Sequence, residues 1–239
     1  MSDKIIDFYN QASTSYSKRR YLGRPESYPQ FFFQRRKALT LSLMDQLALG
    51  RQNLKLLDVA CADGVMSFAL FERYPKLWAK IVGVDIAPKM IEVAQASNQD
   101  PRLSFFVKTA TPAENYDVVL GLGFITGTIL SEEINFVKQH LVPNGFYLCT
   151  LPSKYSLKAL LTIRHEAYRQ DYWTYSQYER FLSQHFEILS ARPYGLFIPL
   201  IWKWPALARL IQTLADRCLA QLLPFAYHEK IYLLKNRSA

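Results

Sequence analysis

Between residues 54 and 85 come a short apolar run, a turn of small residues, a helical stretch and a second apolar run ending in a carboxylate. Few folds accommodate that order. Leu54-Lys55-Leu56-Leu57-Asp58-Val59 is brief and almost wholly apolar, the pattern of a parallel strand covered on both faces. Ala60-Cys61-Ala62-Asp63-Gly64 is small enough for the backbone to turn sharply and come close to a ligand. From 65 to 74, Val65, Phe68, Ala69, Phe71 and Glu72 recur at intervals of three and four, which predicts a helix. Ile81-Val82-Gly83-Val84-Asp85 predicts the second strand. Ligands of open α/β sheets bind beyond the carboxyl ends of the strands, so Asp58, the turn and Asp85 are expected to line one crevice. Half of some unrelated doubly wound sheet is the plainer alternative.

The alternation continues. Residues 87–94 predict a helix with Pro88 in its first turn, where the missing N–H costs nothing. Strands are predicted at 103–107 and 116–120, a helix at 129–140, and a turn at Pro143-Asn144-Gly145 launching a strand at 146–151. Sixth and seventh strands are expected at 186–190 and 230–234. Strand and helix in turn imply parallel strands joined by crossover helices.

The acid, small-residue turn, helix and second acid resemble the first motifs of the class I S-adenosylmethionine-dependent methyltransferases, and Leu141-Val142-Pro143-Asn144-Gly145-Phe146 is similar to the Leu-x-Pro-Gly-Gly turn before their fifth strand. The resemblance implies a Rossmann-like α/β three-layer sandwich with a seven-stranded, mostly parallel sheet. It also implies one methyltransferase domain over 1–239: an N-terminal helical cap at 1–53, a cofactor-binding core at 54–192, an apolar helical insertion at 193–228 between strands six and seven, and a last strand and tail at 229–239. It implies S-adenosyl-L-methionine as cofactor, with Asp85 on both ribose hydroxyls and Asp58 orienting the turn and facing the methionine end. A carboxylate suits paired hydroxyls because it accepts two hydrogen bonds at once. Ala60, Cys61, Ala62, Gly64, Ile86 and Gly121 would line the cofactor. The family usually has glycine at the positions of Ala60 and Ala62, so their Cβ atoms are expected to crowd it, at about 1 kcal/mol each where φ is positive. After strand three the family often has an acid for the adenine amino group. Lys108-Thr109-Ala110 stands there instead, leaving Thr109 as either an adenine contact or a plain turn former.

Gly121-Leu122-Gly123-Phe124-Ile125-Thr126-Gly127 is similar to a dinucleotide-binding turn, but no acid ends the strand that follows. It is therefore expected to be the loop after strand four, with Gly123, Phe124 and Pro152 on the acceptor side. A simple tight turn is the alternative. His228 is the acid–base candidate, while His140, His165 and His185 are expected to be structural. The Leu-Gly loop after strand four and Leu151-Pro152-Ser153 after strand five look like those of small-molecule, glycan or lipid-type O-methyltransferases, and no Asn/Asp-Pro-Pro-aromatic sequence follows strand four as in amino-directed nucleic-acid enzymes. An RNA methyltransferase or a non-catalytic cofactor-fold protein are the alternatives.

A chain of 239 residues that is 50% hydrophobic can bury one good core. No apolar run reaches the roughly 20 residues that span a bilayer. Acids near the start and three widely spaced cysteines lead to the expectation of a cytoplasmic protein with no metal site and no disulfide frame. The net charge of +9 resides in the flanks: 1–53 carry nine Lys/Arg against four Asp/Glu, 193–239 six against two, and 54–192 fourteen of each. Such flanks suit an anionic substrate, a phospholipid surface or a nucleic acid, or are solvated surface. A helix is expected from about 30 to 49, with Phe32, Arg35, Arg36, Leu39, Leu43 and Leu47 near one another at helical spacing, so that it packs on the sheet with its basic turn near one end. The resemblance implies an Arg or Tyr of this N-terminal region against the cofactor carboxylate, without choosing which. A second helix is expected at 206–223, with a stripe of Leu207, Leu210, Ile211, Leu214, Cys218 and Leu222. That stripe covers the sheet, walls an apolar substrate pocket, or makes peripheral membrane contact at the inner face of a membrane.

Overall fold

The computed structural model describes residues 3–161 and 172–237; His165 lies outside them. In chain order the helices are α1 (Asp3–Ala12), α2 (Tyr16–Tyr21), α3 (Tyr28–Ala48), α4 (Val65–Arg73), α5 (Pro88–Ser97), α6 (Leu130–His140), α7 (Leu157–Leu161), α8 (Tyr175–His185) and α9 (Pro205–Cys218). The strands are β1 (Leu54–Val59), β2 (Trp78–Asp85), β3 (Leu103–Val107), β4 (Tyr116–Gly121), β5 (Leu141–Pro152), β6 (Phe186–Leu196) and β7 (Tyr227–Asn236). They form one sheet in the order β3-β2-β1-β4-β5-β7-β6, with β7 alone reversed. This is the Rossmann-like, mostly parallel seven-stranded architecture that the resemblance implies.

The strands are apolar on both sides because both sides are covered. Leu56, Ile81, Val118 and Leu148 pack with α3, α4 and α5 on one face. Leu57, Val82, Val119 and Cys149 pack with α6 and α8 on the other. Ser27 caps α3, its hydroxyl accepting from the Gln30 N–H, and Pro29 occupies the first turn.

Four boundaries differ from the sequence reading. Strand β2 begins at Trp78, whose indole N–H donates to the Leu70 carbonyl 3.1 Å away, an anchor outside the apolar run. Strand β5 begins at Leu141, paired with Tyr116; the ladder then skips to Val118 and Phe146, so Pro143-Asn144-Gly145 bulges within the strand, with Asn144 at φ 60°. Strands β6 and β7 extend to Leu196 and back to Tyr227, which confines the insertion to 197–226 and puts His228 and Glu229 inside the sheet. Pro193 is tolerated there because β6 is the edge strand.

The fourth difference is an inversion. Helix α9 ends at Cys218, and its leucine stripe does not cover the sheet: Leu207, Leu210 and Leu214 are exposed. Ala208, Gln212 and Ala215 face inward instead. The small alanines allow close approach, and polar groups lock the helix down. Gln212 Nε2 donates to the Leu196 carbonyl at 2.6 Å, and the Tyr227 hydroxyl donates to the Ala215 carbonyl at 2.7 Å.

Candidate functional site

The carboxyl ends of β1 and β2 lie side by side, and the turn from Ala60 to Gly64 joins β1 to α4 between them. Ala60, Ala62 and Gly64 all have positive φ, at 59°, 51° and 80°. Only glycine adopts this left-handed region without strain, so two alanines here carry a cost the turn would otherwise avoid. At Gly64 glycine is also required by space, because a Cβ would come within 2.8 Å of the Phe68 ring. The Gly64 N–H donates to the Cys61 carbonyl (3.0 Å) and the Cys61 N–H to the Val84 carbonyl (3.1 Å), clamping the turn to β2.

Both acids tie this turn down. The Ser67 hydroxyl donates to Asp58 Oδ2 at 2.6 Å, linking β1 to α4. The Ala62 N–H donates to Asp85 Oδ2 and the Ala87 N–H to Oδ1, each at 2.9 Å. Burial pushes the Asp58 carboxyl up to about 7, against the lowering bond from Ser67 and with a further push from Asp85. Burial also raises Asp85, while backbone N–H groups of Ala87, Ala62 and Ile86 oppose the rise. The Ala62 and Ala87 bonds fall on different Asp85 oxygens, and the lone pairs left on the carboxylate fit a donor set of two neighbouring hydroxyls.

The N-terminal flank closes over the turn. Tyr9, Ala12 and Tyr16 pack on Ala62, Ala87 and Met90. The Ser17 N–H and hydroxyl donate to the two Asp63 oxygens at 3.1 and 2.7 Å, and the Lys89 N–H donates to Asn10 Oδ1 at 3.1 Å. Tyr16, Tyr21, Arg36, Asp58, Ala60 and Ala62 leave a cavity of about 20 Å³ among them, which holds a water and not a nucleoside. Tyr16 and Tyr21, both from α2, form part of its wall.

Arg36, which the sequence places in the basic turn of α3 without distinguishing it from the other N-terminal arginines, is the arginine in this cavity's wall. Its Nε donates to the Tyr194 hydroxyl at 3.0 Å and its Nη2 to both Glu229 oxygens at 3.0 and 2.9 Å, while Tyr194 also donates to Glu229. Burial alone would raise the Glu229 carboxyl, but Arg36, His228 and the Tyr194 hydroxyl outweigh it and hold it below its ordinary range. The remaining nitrogen, Nη1, points toward Gly123, where a Cβ would lie 2.2 Å away. A cation set within the apolar spacing of Phe32, Leu39 and Leu43 was the available signal.

The other expected site residues are distributed as follows. Cys61 is buried and Ile86 half-buried, both beside Asp85. Gly121 ends β4 next to Val59, and its missing Cβ makes room for the Tyr147 hydroxyl. Gly123 is held by its N–H donating to Thr150 Oγ1 at 2.8 Å. Phe124 is half-buried beneath Lys108, Pro152 is buried opposite Glu229, and Thr109 is exposed in a single 3-10 turn beyond β3. His228 lies outside the cavity wall. Its ring packs 5.1 Å from Phe32, and its Nε2 lies 3.4 Å from Lys158 Nζ.

Residues 56–145 match a family model described as a methyltransferase domain. A malonyl-[acyl-carrier protein] O-methyltransferase of Acetivibrio thermocellus is 33% identical over 88 residues, covering 35% of this chain and 30% of that protein. A ubiquinone biosynthesis O-methyltransferase of Pelagibacter ubique is 33% identical over 79 residues, 31% of either chain. The chain thus spans about a third of the length of the curated relatives it matches. Over the whole fold, magnesium protoporphyrin IX methyltransferase of Synechocystis PCC 6803, solved with bound SAH, superposes with a TM-score of 0.68 at 16% identity, covering 98% of both chains. Residues 56–145 thus match a methyltransferase domain, and the whole chain shares the fold of the solved magnesium protoporphyrin IX methyltransferase.

Proposed function

We propose that this protein transfers a methyl group from S-adenosylmethionine to an oxygen of a small-molecule, glycan or lipid-type acceptor. One observation carries the reading: two acids stand at adjacent strand ends, joined by a left-handed turn of small residues, inside the segment that matches the methyltransferase domain. In it Asp85 takes the ribose hydroxyls through its free lone pairs. Asp58 faces the ammonium end, where a positive neighbour favours its ionised form. Ala60, Cys61, Ala62, Gly64, Ile86 and Gly121 line the cofactor, with Thr109 near the base. Arg36 Nη1 offers a charge-assisted donor to a carboxylate. Gly123, Phe124 and Pro152 bound the acceptor side. When bound, the cofactor supplies an electrophilic methyl group on a sulfonium. The chain's own work is to orient it, to exclude water under α1 and α2, and to hold the acceptor oxygen in line.

His228 has neighbours of its own rather than a place on the cavity wall, so the reaction relies on positioning and on an acidic acceptor hydroxyl. Oxygen is favoured because both curated relatives are O-methyltransferases by name and because Gly121-Leu122-Gly123-Phe124 follows β4. The test supplies methyl-labelled cofactor with pooled phenolic and carboxylic small molecules, glycans, lipid extract and total RNA. Label in the first three classes, released as expected for ethers or esters, supports the reading. Label in RNA alone overturns it.

A further inference from the structure

Helix α9 turns its apolar side to solvent. Trp204, Leu207, Leu210 and Leu214 follow one another at three- and four-residue steps, and each is 48–63% exposed. Leu222 and Phe225, beyond the helix, are exposed as well. This orientation is built in. Gln212 bonds the Leu196 carbonyl, Arg35 Nε donates to Asp216 at 2.7 Å, and Arg209 Nη1 donates to the Pro25 carbonyl at 2.9 Å. Rolling the leucines inward would break all three bonds and bury Arg217. A patch of this kind marks an interaction site more often than idle surface.

We propose that this face seats the protein on an anionic lipid surface. Charge selects the occupant. Between 197 and 226 the sole acid is Asp216, whose side chain is 1% exposed and paired with Arg35. Lys203 and Arg217 are exposed, and Arg209 is half-exposed. Leucines flanked by cations, with no exposed acid between 197 and 226, match the boundary between acyl chains and anionic headgroups: the apolar side chains enter, and the long basic ones reach back to phosphate. Trp204 and Phe225 place aromatic rings at the two ends of the patch, where amphipathic rings anchor at that depth. A second copy suits the face less well. A twofold contact would set Lys203 and Arg217 against the same cations with no acid to meet them.

The test is co-sedimentation of the full chain with vesicles of phosphatidylcholine alone and with about a third phosphatidylglycerol, at low and physiological salt. The proposal expects binding to the phosphatidylglycerol vesicles that weakens with salt. Leu207→Gln, Leu210→Gln and Leu214→Gln together should lower the partition at least tenfold without lowering Tm, because all three side chains are already exposed. Lys203→Gln with Arg217→Gln should remove the preference for phosphatidylglycerol. The proposal is overturned by absence of binding, by binding that the leucine changes leave intact, or by a concentration-dependent dimer that those changes disperse. Vesicle binding needs no methyl donor, so its failure and the failure of methyl transfer are separate results.

Discussion

Replacing Ala60 and Ala62 with glycine tests the most unusual feature of the turn. At φ 59° and 51° each alanine holds its Cβ in the left-handed region, at about 1–2 kcal/mol. Glycine removes that cost but loses about 0.5–1 kcal/mol more backbone entropy on folding. The net gain is about 0.5–1 kcal/mol per site. The sites share one turn, so about 1–2 kcal/mol is the bound for the pair rather than a guaranteed sum. In a chain of this size that corresponds to a Tm rise of about 2–8 °C. Ala69→Gly in α4 is the control: a helix interior gains nothing from glycine, and Tm should fall by the equivalent of about 1 kcal/mol. Scanning calorimetry gives the stabilities, and titration with the demethylated cofactor gives the affinities. Ala60 and Ala62 line the cavity, so the double variant should also bind more tightly. A lower Tm would refute the strain argument, and unchanged or weaker affinity would refute crowding.

Other perturbations have equally definite outcomes. Asp58 keeps its proton in the fold to about pH 7, against an ordinary value of 3.8, so the folded state holds more protons between those limits and stability falls as pH rises through them. Asp58→Asn keeps an acceptor for Ser67 and removes the loss; its Tm relative to wild type should therefore grow from pH 5 to pH 8, and a pH-independent difference would contradict the assignment. Breaking the buried Arg36–Glu229 pair with Arg36→Met should cost about 3–5 kcal/mol in denaturant unfolding, and adding Glu229→Gln should restore part of it. If the double variant shows no recovery, the two residues are not coupled. Ser17→Ala removes the hydroxyl bond to Asp63, worth about 1 kcal/mol, and should speed cofactor association in stopped flow by up to about fivefold. An unchanged rate would mean that α1 and α2 do not gate entry.

The sheet was readable because its strands are apolar runs bounded by turn residues, and burial on both faces leaves little choice about where those runs go. Adjacency of Asp58 and Asp85 followed from topology, since one crossover helix separates their parallel strands. Contacts between residues far apart in sequence were not readable. Arg36 meets Glu229 across 193 positions; the apolar spacing around Arg36 marks the cation, but nothing local marks its partner. Helix α9 misled for a physical reason: amphipathicity reveals two faces but not which one is anchored, and here Gln212 and Asp216 anchor the polar one. The Thr174–Gln177 capping box that starts α8 was a local signal that could have been used.

Calorimetric titration of S-adenosylmethionine into the wild type and Asp85→Ala addresses the central claim most directly. The account predicts micromolar binding that the substitution weakens at least tenfold, about 1.4 kcal/mol. Absence of heat and of thermal shift with either the cofactor or its demethylated product, or equal affinity in the two proteins, would contradict it.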